Sequence, residues 1–462
     1  MRPPVGIEPR LTAFDTAMIV VSLIIGAGIF RTPSEVAIQA GSIGLFWLAW
    51  VLGGLVALLG ALVFAEIGSR RPVAGGYYAL VADCFGVDMA FMLNWTMVIV
   101  SGVSLAAVTT VGVDYLAPFL DPLGLADRDP RLIGAGLIGL LYLVNLRGIR
   151  VGATVQNILS GLKVVLILGV AMTALLAVVP EGTTPAAPQE SATTEGSLLL
   201  ALGASLVPVF FTFGGYHMIT NVGADVRRPQ RNIPIGVLAG VGLVFSLYML
   251  INAAYVQVLG LGGVAASTKV AGDLAGVVFG PWGDRLVSAM VFLSVLGFMN
   301  VAFLHMPRTY LAMARSGVLP SPFARVNPHT QVQDFGLTFY VFTILVALMF
   351  LEDFGRMLDF VMFIDLLALA VLASTIFVLR QQRVGDQESL SADSAPGYRI
   401  PLYPWLPAVF TACLLAVVTS VFINDVFVYH RYHTLVSLAL LALGLPMSRV
   451  MQRLSAGGHD DP

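Results

Sequence analysis

The chain has 462 residues, of which 57% are hydrophobic and only 11% are charged, and its mean hydropathy is +0.87. This composition excludes an ordinary soluble globular protein, in which about 25% of the residues are charged. The formal net charge of −2 leaves no basic excess, so we expect no nucleic-acid partner. The lipid bilayer is the expected surrounding of the whole chain.

Twelve apolar runs of spanning length follow one another along the chain. Runs of about 20 residues match the thickness of the hydrocarbon core, and these runs lack the alternating pattern of barrel strands. We therefore predict an all-α membrane protein with about twelve transmembrane helices. The runs lie near residues 13–39, 43–69, 88–118, 132–147, 152–179, 198–223, 234–259, 284–311, 336–351, 356–380, 405–423 and 432–450.

Basic residues collect in alternate loops, as the positive-inside rule describes. With the N-terminus inside, most of the twenty-three arginines fall in cytoplasmic segments. The segment 180–196 carries Glu181, Glu190 and Glu195 but no lysine or arginine, which is typical of an outside loop. We predict a multi-pass protein of the cell (plasma or inner) membrane with cytoplasmic N- and C-termini.

Two of the predicted spans contain glycines near their middle. The first carries Gly26-Ala27-Gly28 within "SLIIGAGIF", and the sixth carries Gly214-Gly215 within "PVFFTFGGYHMITN". Because spans one and six each open a set of five helices, matching breaks favour an inverted repeat whose discontinuous helices meet at the midplane. Within a single membrane domain, the predicted repeats cover residues 12–180 and 197–380, and two further helices follow at 405–450.

A helix that is broken inside a membrane exposes backbone groups that a ligand can satisfy. Free N–H groups at the start of a half-helix suit a carboxylate, and free carbonyls suit an ammonium group. The residues that present these groups are Ala27, Gly28 and Ile29 at the first break and Phe211, Thr212 and Gly214 at the second. A site that has both the N–H groups and the carbonyls binds a zwitterion, which is the form of a free amino acid. Alternatively, the glycines of the two breaks only permit close helix packing, which is the role that we expect for Gly236 and Gly240 from their small-residue spacing.

Three ionisable residues lie within predicted spans. Lys163 is about ten residues from the start of the fifth span and so roughly 15 Å deep, where its ammonium group needs carbonyl, carboxylate or water partners. Asp365, deep in the tenth span, can relay protons or make a structural hydrogen bond. His217, just beyond the second break, can sense pH or serve as a hydrogen-bonding core residue.

Several stretches resemble those of the amino acid-polyamine-organocation transporters, which have the leucine-transporter fold. The matching stretches are "GAGIF", "AEIGSRRPVAGGYYAL", "FFTFGG", "RRPQRNIPIG" and "RTYLAMARSGVLP", in the family's order and spacing. The resemblance implies import or exchange of amino acids by alternating access. It also implies that Ile24, Ala27 and Gly28 face the substrate carboxylate. Ala27 stands where the family commonly has serine, so only a backbone contact remains there.

The same resemblance assigns roles outside the glycines. It makes Phe211 the aromatic gate, and it gives Lys163 the position that a sodium ion takes in sodium-coupled relatives, between the first and eighth helices. We expect Asn300 to be a partner of Lys163. We also expect transport to be coupled to the charge or protonation of this lysine. A purely structural lysine is the alternative.

The complete prediction is a secondary transporter of amino acids, coupled to a proton or to a counter-substrate. A sodium-coupled transporter and an amine or polyamine transporter are the alternatives within this fold; a channel or a membrane enzyme is disfavoured, and no cofactor or metal is expected. The candidate substrate-binding residues are Ile24, Gly26, Ala27, Gly28, Ile29, Phe211, Thr212, Phe213, Gly214 and Gly215. The candidates for coupling are Lys163, Asn300 and Asp365, and those for a gate or pH sensor are Phe211 and His217.

Overall fold

A computed structural model describes residues 11–26, 28–72, 76–124, 128–146, 152–176, 198–327, 332–350, 354–385, 398–428, 430 and 432–457. The described residues are almost entirely helical, and their α-helices are α1 (Ala13–Ile24), α2 (Gly28–Ala40), α3 (Ile43–Arg70), α4 (Gly76–Phe85), α5 (Val87–Leu120), α6 (Pro130–Leu146), α7 (Gly152–Leu176), α8 (Leu198–Phe213), α9 (Pro229–Ala266), α10 (Val270–Phe279), α11 (Pro281–Arg315), α12 (Asp334–Phe350), α13 (Phe354–Gly385), α14 (Trp405–Ile423) and α15 (His433–Gly457).

Eight helical segments of the described chain are long and apolar enough to cross a membrane, and the bent pair α1–α2 adds a ninth. The remaining predicted runs correspond to shorter apolar helices, namely α6, the segment Gly161–Leu176 of α7, and α12. The prediction of an all-α protein with many membrane spans is confirmed. The helices α4 and α10 are too short to span and lie between the predicted runs. The division into two five-helix repeats stays a prediction.

The start of α1 is held by local and by distant contacts. Thr12 and Asp15 form a capping box, in which each side chain accepts a hydrogen bond from the other residue's backbone N–H. Immediately before it, Leu11 forms a β-bridge with Val226, and the N–H of Arg227 donates to the carbonyl of Leu11 at 2.9 Å. The first span is thereby joined to the segment that follows the second break.

The first broken span packs into the body of the protein through small residues. A Cβ atom on Gly236 would lie 2.5 Å from Cβ of Thr16, and one on Gly240 would lie 2.8 Å from Cγ1 of Val20. Since real Cβ contacts are never this short, only glycine allows α9 to approach α1 so closely. In the same way α2 packs on α8, so both broken spans share one core with α3 and α9.

The outside of the helix assembly carries large apolar side chains. Leu176, Trp282 and Phe350 are 78%, 79% and 80% exposed. Side chains of this kind on the surface of a water-soluble monomer would be unfavourable, but they are expected where the surrounding medium is lipid.

Candidate functional site

The first break begins with a tight turn at the end of α1. Ile25 has φ −75° and ψ 84°, and the N–H of Gly26 donates to the carbonyl of Ile24 at 2.8 Å, which is the geometry of an inverse γ-turn. The two helices are bent by 48° relative to each other. Because α1 ends here, Ile24 and Ile25 present carbonyl oxygens, whereas Gly28 and Ile29 at the start of α2 present N–H groups.

This geometry shows which backbone group Ile24 offers. The resemblance places it at the substrate carboxylate, but Ile24 is the last residue of α1, so the backbone group that it offers is a carbonyl. The partial negative charge at a helix C-terminus repels a carboxylate and attracts a cation. Ile24 therefore suits the ammonium side of a zwitterion, and Gly28 and Ile29 suit its carboxylate side. Ala27 lies outside the described residues.

Lys163 of α7 contacts the first break directly. Its Nζ donates to the carbonyl of Ile25 at 3.0 Å, and the residue is only 2% exposed. The γ-turn rotates this carbonyl out of the α1 ladder, so that it is available to a donor from another helix. An ammonium group at the C-terminal end of α1 is also favoured by the dipole of that helix.

Residues of the eighth span, α11, also lie near Lys163. A narrow cleft beside the lysine is lined by Leu162, Leu166, Met290 and Ser294. The Ser294 hydroxyl is buried and has no hydrogen-bond partner among the described residues. Asn300 instead accepts a hydrogen bond from Nδ2 of Asn145 at 2.8 Å. In the described part of the chain, Met290 and Ser294 are the residues of α11 that line the cleft beside Lys163, and Asn300 contacts Asn145.

The second break depends on a left-handed glycine. After α8 ends at Phe213, Gly215 has φ 106° and ψ −25°, and the chain continues as a 3-10 helix over Tyr216–Asp225. The N–H of Gly214 donates to the carbonyl of Phe211 at 3.2 Å. Of the three carbonyls expected to be free, that of Phe211 thus already accepts one hydrogen bond, within the turn itself.

The two breaks lie against each other. A Cβ atom on Gly28 would lie 3.0 Å from Cα of Thr212, and one on Gly215 would lie 2.5 Å from the carbonyl oxygen of Leu23. The hydroxyl groups of Thr32 and Thr212 form a short hydrogen bond between α2 and α8. The close packing that the glycines permit is therefore also what brings the two sets of backbone groups together.

Tyr248 of α9 is a site residue that the sequence analysis missed. Its hydroxyl lies 3.3 Å from the carbonyl oxygen of Ile24 and 3.2 Å from that of Thr212, and the residue is fully buried. Its ring packs edge-on against Trp50 and at a tilt against Phe213, at centroid distances of 6.2 and 5.0 Å. The available signal was a tyrosine in the middle of an apolar span, since a buried phenol needs a hydrogen-bond partner.

The side chains around the second break have different surroundings. The ring of Phe213 is 1% exposed and packs in the core, so only the backbone of this residue is near the break. Phe211 is half-buried. His217 is buried among the rings of Phe64, Tyr77 and Tyr216, at 5.9, 6.3 and 6.0 Å. Its Nδ1 atom has no hydrogen-bond partner among the described residues.

Asp365 on α13 belongs to the same region as His217. It is half-buried and lies close enough to Tyr77 and Tyr216 to interact with them electrostatically. The described contacts of Asp365 thus connect it with the aromatic surroundings of His217, whereas the described contact of Lys163 is with the first break.

Ion pairs also lie outside the two breaks. Arg31 and Glu35, one turn apart on α2, are 3.1 Å apart, and Arg31 also donates to the carbonyl of Ser267 at 2.8 Å. Glu66 at the end of α3 is completely buried; both of its carboxylate oxygens accept hydrogen bonds from Arg380 of α13, at 2.8 and 2.7 Å. Arg70 lies 2.6 Å from the same carboxylate. These contacts join helices that surround the site.

The family of this chain follows from a comparison with known protein families. Residues 11–443, which include both breaks and every candidate residue, match the family model described as amino acid permease. The chain belongs to the amino acid permease family. The permease is thus a multi-pass membrane protein and a secondary transporter of amino acids, and it is not an enzyme.

Three similar proteins extend the comparison. The serine/threonine exchanger SteT of Bacillus subtilis is 24% identical over 423 residues, which cover 91% of the permease and 92% of SteT. The human large neutral amino acids transporter small subunit 2 is 28% identical over 394 residues, or 82% of the permease and 71% of the relative. The human cystine/glutamate transporter is 24% identical over 423 residues, or 90% and 81%.

Proposed function

We propose that the permease exchanges neutral amino acids across the cell membrane by alternating access, without sodium. The observation that carries the proposal is the hydrogen bond from Lys163 to Ile25, which supplies a cation to the first break from within the protein. A bound sodium ion at this place would meet the positive charge of the lysine. The similarity to a serine/threonine exchanger supports exchange.

In this proposal the substrate lies between the two breaks. Its carboxylate accepts hydrogen bonds from the first N–H groups of α2, including those of Gly28 and Ile29. Its ammonium group donates to carbonyls at the ends of α1 and α8, including those of Ile24 and Thr212. Phe298, whose ring lies 3.4 Å from the Cβ position of Gly26, supplies apolar surroundings that favour a neutral side chain.

The coupling step involves the contact between α7 and the first break. When the inner part of the first span moves, the distance between Lys163 and the Ile25 carbonyl changes, and the buried ammonium group loses or regains its partner. We propose that substrate binding favours the arrangement in which this bond is made. His217 and Asp365 are candidates for proton coupling, and Phe211 is the candidate gate. Both termini are proposed to be cytoplasmic.

The test uses purified permease in liposomes. With unlabelled serine, threonine or leucine inside, we expect uptake of the labelled amino acid to exceed uptake into empty liposomes, and to be unchanged when sodium is replaced by choline. A sodium requirement would contradict the proposed coupling. In a thermal-shift screen of the purified permease, stabilisation by sugars or nucleobases but by no amino acid would contradict the substrate class. Uptake into empty liposomes that is driven by a proton gradient would show that the mechanism is proton symport instead of exchange.

The role of Lys163 is tested by Lys163→Met, with Lys269→Met as the matched control. Because a hydrogen bond to a charged group contributes about 1.5–3 kcal/mol, we expect exchange to fall by about tenfold or more in Lys163→Met. Lys269 is the other lysine of the chain and pairs with Asp284 at 3.0 Å on a partly exposed surface, so its loss has a small effect. Equal rates in both variants would show that Lys163 is only structural.

A further inference from the structure

We propose that Arg31 is a positioning residue for the carboxylate of the substrate. It lies on α2, about one turn beyond Gly28 and Ile29, whose N–H groups are the proposed donors to the carboxylate. Its guanidinium group donates to the carbonyl of Ser267 at 2.8 Å and so joins the start of α2 to the end of α9. The inference rests on the proposed function, and it identifies what fixes the direction of these donors.

The start of α2 lacks one of the hydrogen bonds that normally hold a helix together. Pro33 has no N–H group, so the carbonyl of Ile29 receives no hydrogen bond from the residue four positions further on. The direction of this end of α2 therefore depends on contacts with other helices. Direction matters for binding, because the first N–H groups and the dipole of a helix favour a carboxylate that lies in front of them.

Two further contacts hold the same part of α2. The hydroxyl of Ser34 donates to the carbonyl of Ala265, in the last turn of α9, at 3.1 Å. The hydroxyl of Tyr115 on α5 donates to the carbonyl of Phe30 at 2.9 Å and accepts a hydrogen bond from the N–H of Ala271, in the first turn of α10, at 3.2 Å. Side chains and backbone groups of α5, α9 and α10 thus converge on the first two turns of α2.

The charge of Arg31 is directed at groups of the protein. Its Nη2 atom lies 3.1 Å from Oε1 of Glu35, and both side chains are only 14% exposed. The carbonyl of Ser267 lies at the C-terminal end of α9, where the partial negative charge of a helix favours a cation. With these partners the guanidinium group orients α2 without competing with the N–H groups of that helix for the carboxylate.

The decisive experiment compares two ligands that differ only in the carboxylate. In Arg31→Gln we expect the KM for serine to rise about five- to tenfold, with the maximal exchange rate within about twofold. Serinamide has an uncharged amide in place of the carboxylate, so we expect its inhibition of exchange to change by less than about twofold. A general disturbance of the fold would weaken the binding of both ligands.

The matched control is Arg285→Gln on α11. Arg285 is exposed, and its guanidinium group lies 5.9 Å from the centre of the Trp282 ring. We expect both the KM for serine and the inhibition by serinamide to stay unchanged in this variant.

Two more variants serve if Arg31→Gln does not fold because Glu35 loses this partner. The double variant Arg31→Gln/Glu35→Gln removes both charges, and Tyr115→Phe removes only the hydroxyl that contacts the Phe30 carbonyl. In each we expect a raised KM for serine and unchanged inhibition by serinamide. Equal weakening of serine and serinamide, an unchanged KM for serine, or the same change in Arg285→Gln would overturn the proposal. Absence of any amino acid exchange by the unmodified permease would instead overturn the proposed function.

Discussion

The two helix breaks share a glycine-rich sequence but differ in how the chain passes through them. At the first, an inverse γ-turn at Ile25 leads into a regular α-helix, and a charged side chain, Lys163, contacts the exposed carbonyl. At the second, the left-handed Gly215 leads into a 3-10 helix, and the contacts come from the hydroxyls of Tyr248 and Thr32. Among the described contacts, the first break thus offers a carbonyl to a charged side chain, whereas the partners of the second are neutral hydroxyls, of which that of Tyr248 also reaches the Ile24 carbonyl of the first.

The same comparison shows that the glycines of the breaks are not equivalent. At position 215, glycine is required by the backbone conformation and by the neighbouring carbonyl of Leu23. At Gly28, an added Cβ atom would be too close to Thr212, whereas at Gly26 it would make little more than an ordinary contact with the ring of Phe298. Substitutions at these positions therefore measure how strictly each break is constrained. Gly242→Ala is a common control, because a Cβ atom there has no neighbour within 4 Å.

The largest effect is expected for Gly215→Ala. A side chain at φ 106° is strained, and its Cβ atom would lie 2.5 Å from a backbone oxygen that belongs to α1. We expect a loss of stability above about 3 kcal/mol, seen as a failure to obtain monodisperse protein or as a strongly lowered melting temperature. A melting temperature close to that of Gly242→Ala would mean that the second break is less constrained than its geometry indicates.

A smaller loss is expected for Gly28→Ala. The added Cβ atom would lie 3.0 Å from Cα of Thr212, so α2 and α8 must separate by a few tenths of an ångström. We expect destabilisation by about 1–3 kcal/mol, as for other overpacked positions, together with weaker amino acid binding in a thermal-shift titration. Lowered stability with unchanged binding would separate packing at this glycine from the substrate site.

Thr32→Val tests the hydroxyl pair that joins the two breaks. The substitution keeps the shape of the side chain but removes the hydrogen bonds of Thr32 to Thr212 and to the carbonyl of Gly28. We expect a loss of about 1 kcal/mol in stability, measured by the melting temperature. Thr419→Val is the control, because that hydroxyl is exposed and bonds only within its own helix among the described contacts. An equal change in both variants would contradict a contribution from the pair.

The smallest effect is expected for Gly26→Ala. Its Cβ atom would lie 3.4 Å from the ring of Phe298, an ordinary van der Waals distance. We expect a change in stability of less than about 1 kcal/mol, while exchange kinetics report any role of this position in the movement of the first span. A larger loss of stability than that of Gly28→Ala would reverse the order of constraint inferred for the first break.

Local properties of the sequence determined the architecture and the places of the breaks. Apolar run length predicts spanning helices because lipid satisfies no backbone group. The glycines of the first and sixth runs do lie at helix ends, whereas Gly53-Gly54 lies inside the continuous helix α3. The burial of Lys163 likewise agrees with its position inside one run. For these features the physical cause lies within about twenty residues of the chain, so no knowledge of the tertiary packing is needed.

Only the tertiary structure decided which groups meet at the breaks. The Tyr248 hydroxyl lies 224 residues along the chain from Ile24, and Lys163 lies 138 residues from Ile25. On α11, Met290 and Ser294 line the cleft beside Lys163, whereas the described contact of Asn300 is with Asn145, and the end of α1 at Ile24 presents a carbonyl. The rotation of each helix about its axis, and the direction in which each broken end points, depend on packing against neighbours that are distant in the chain.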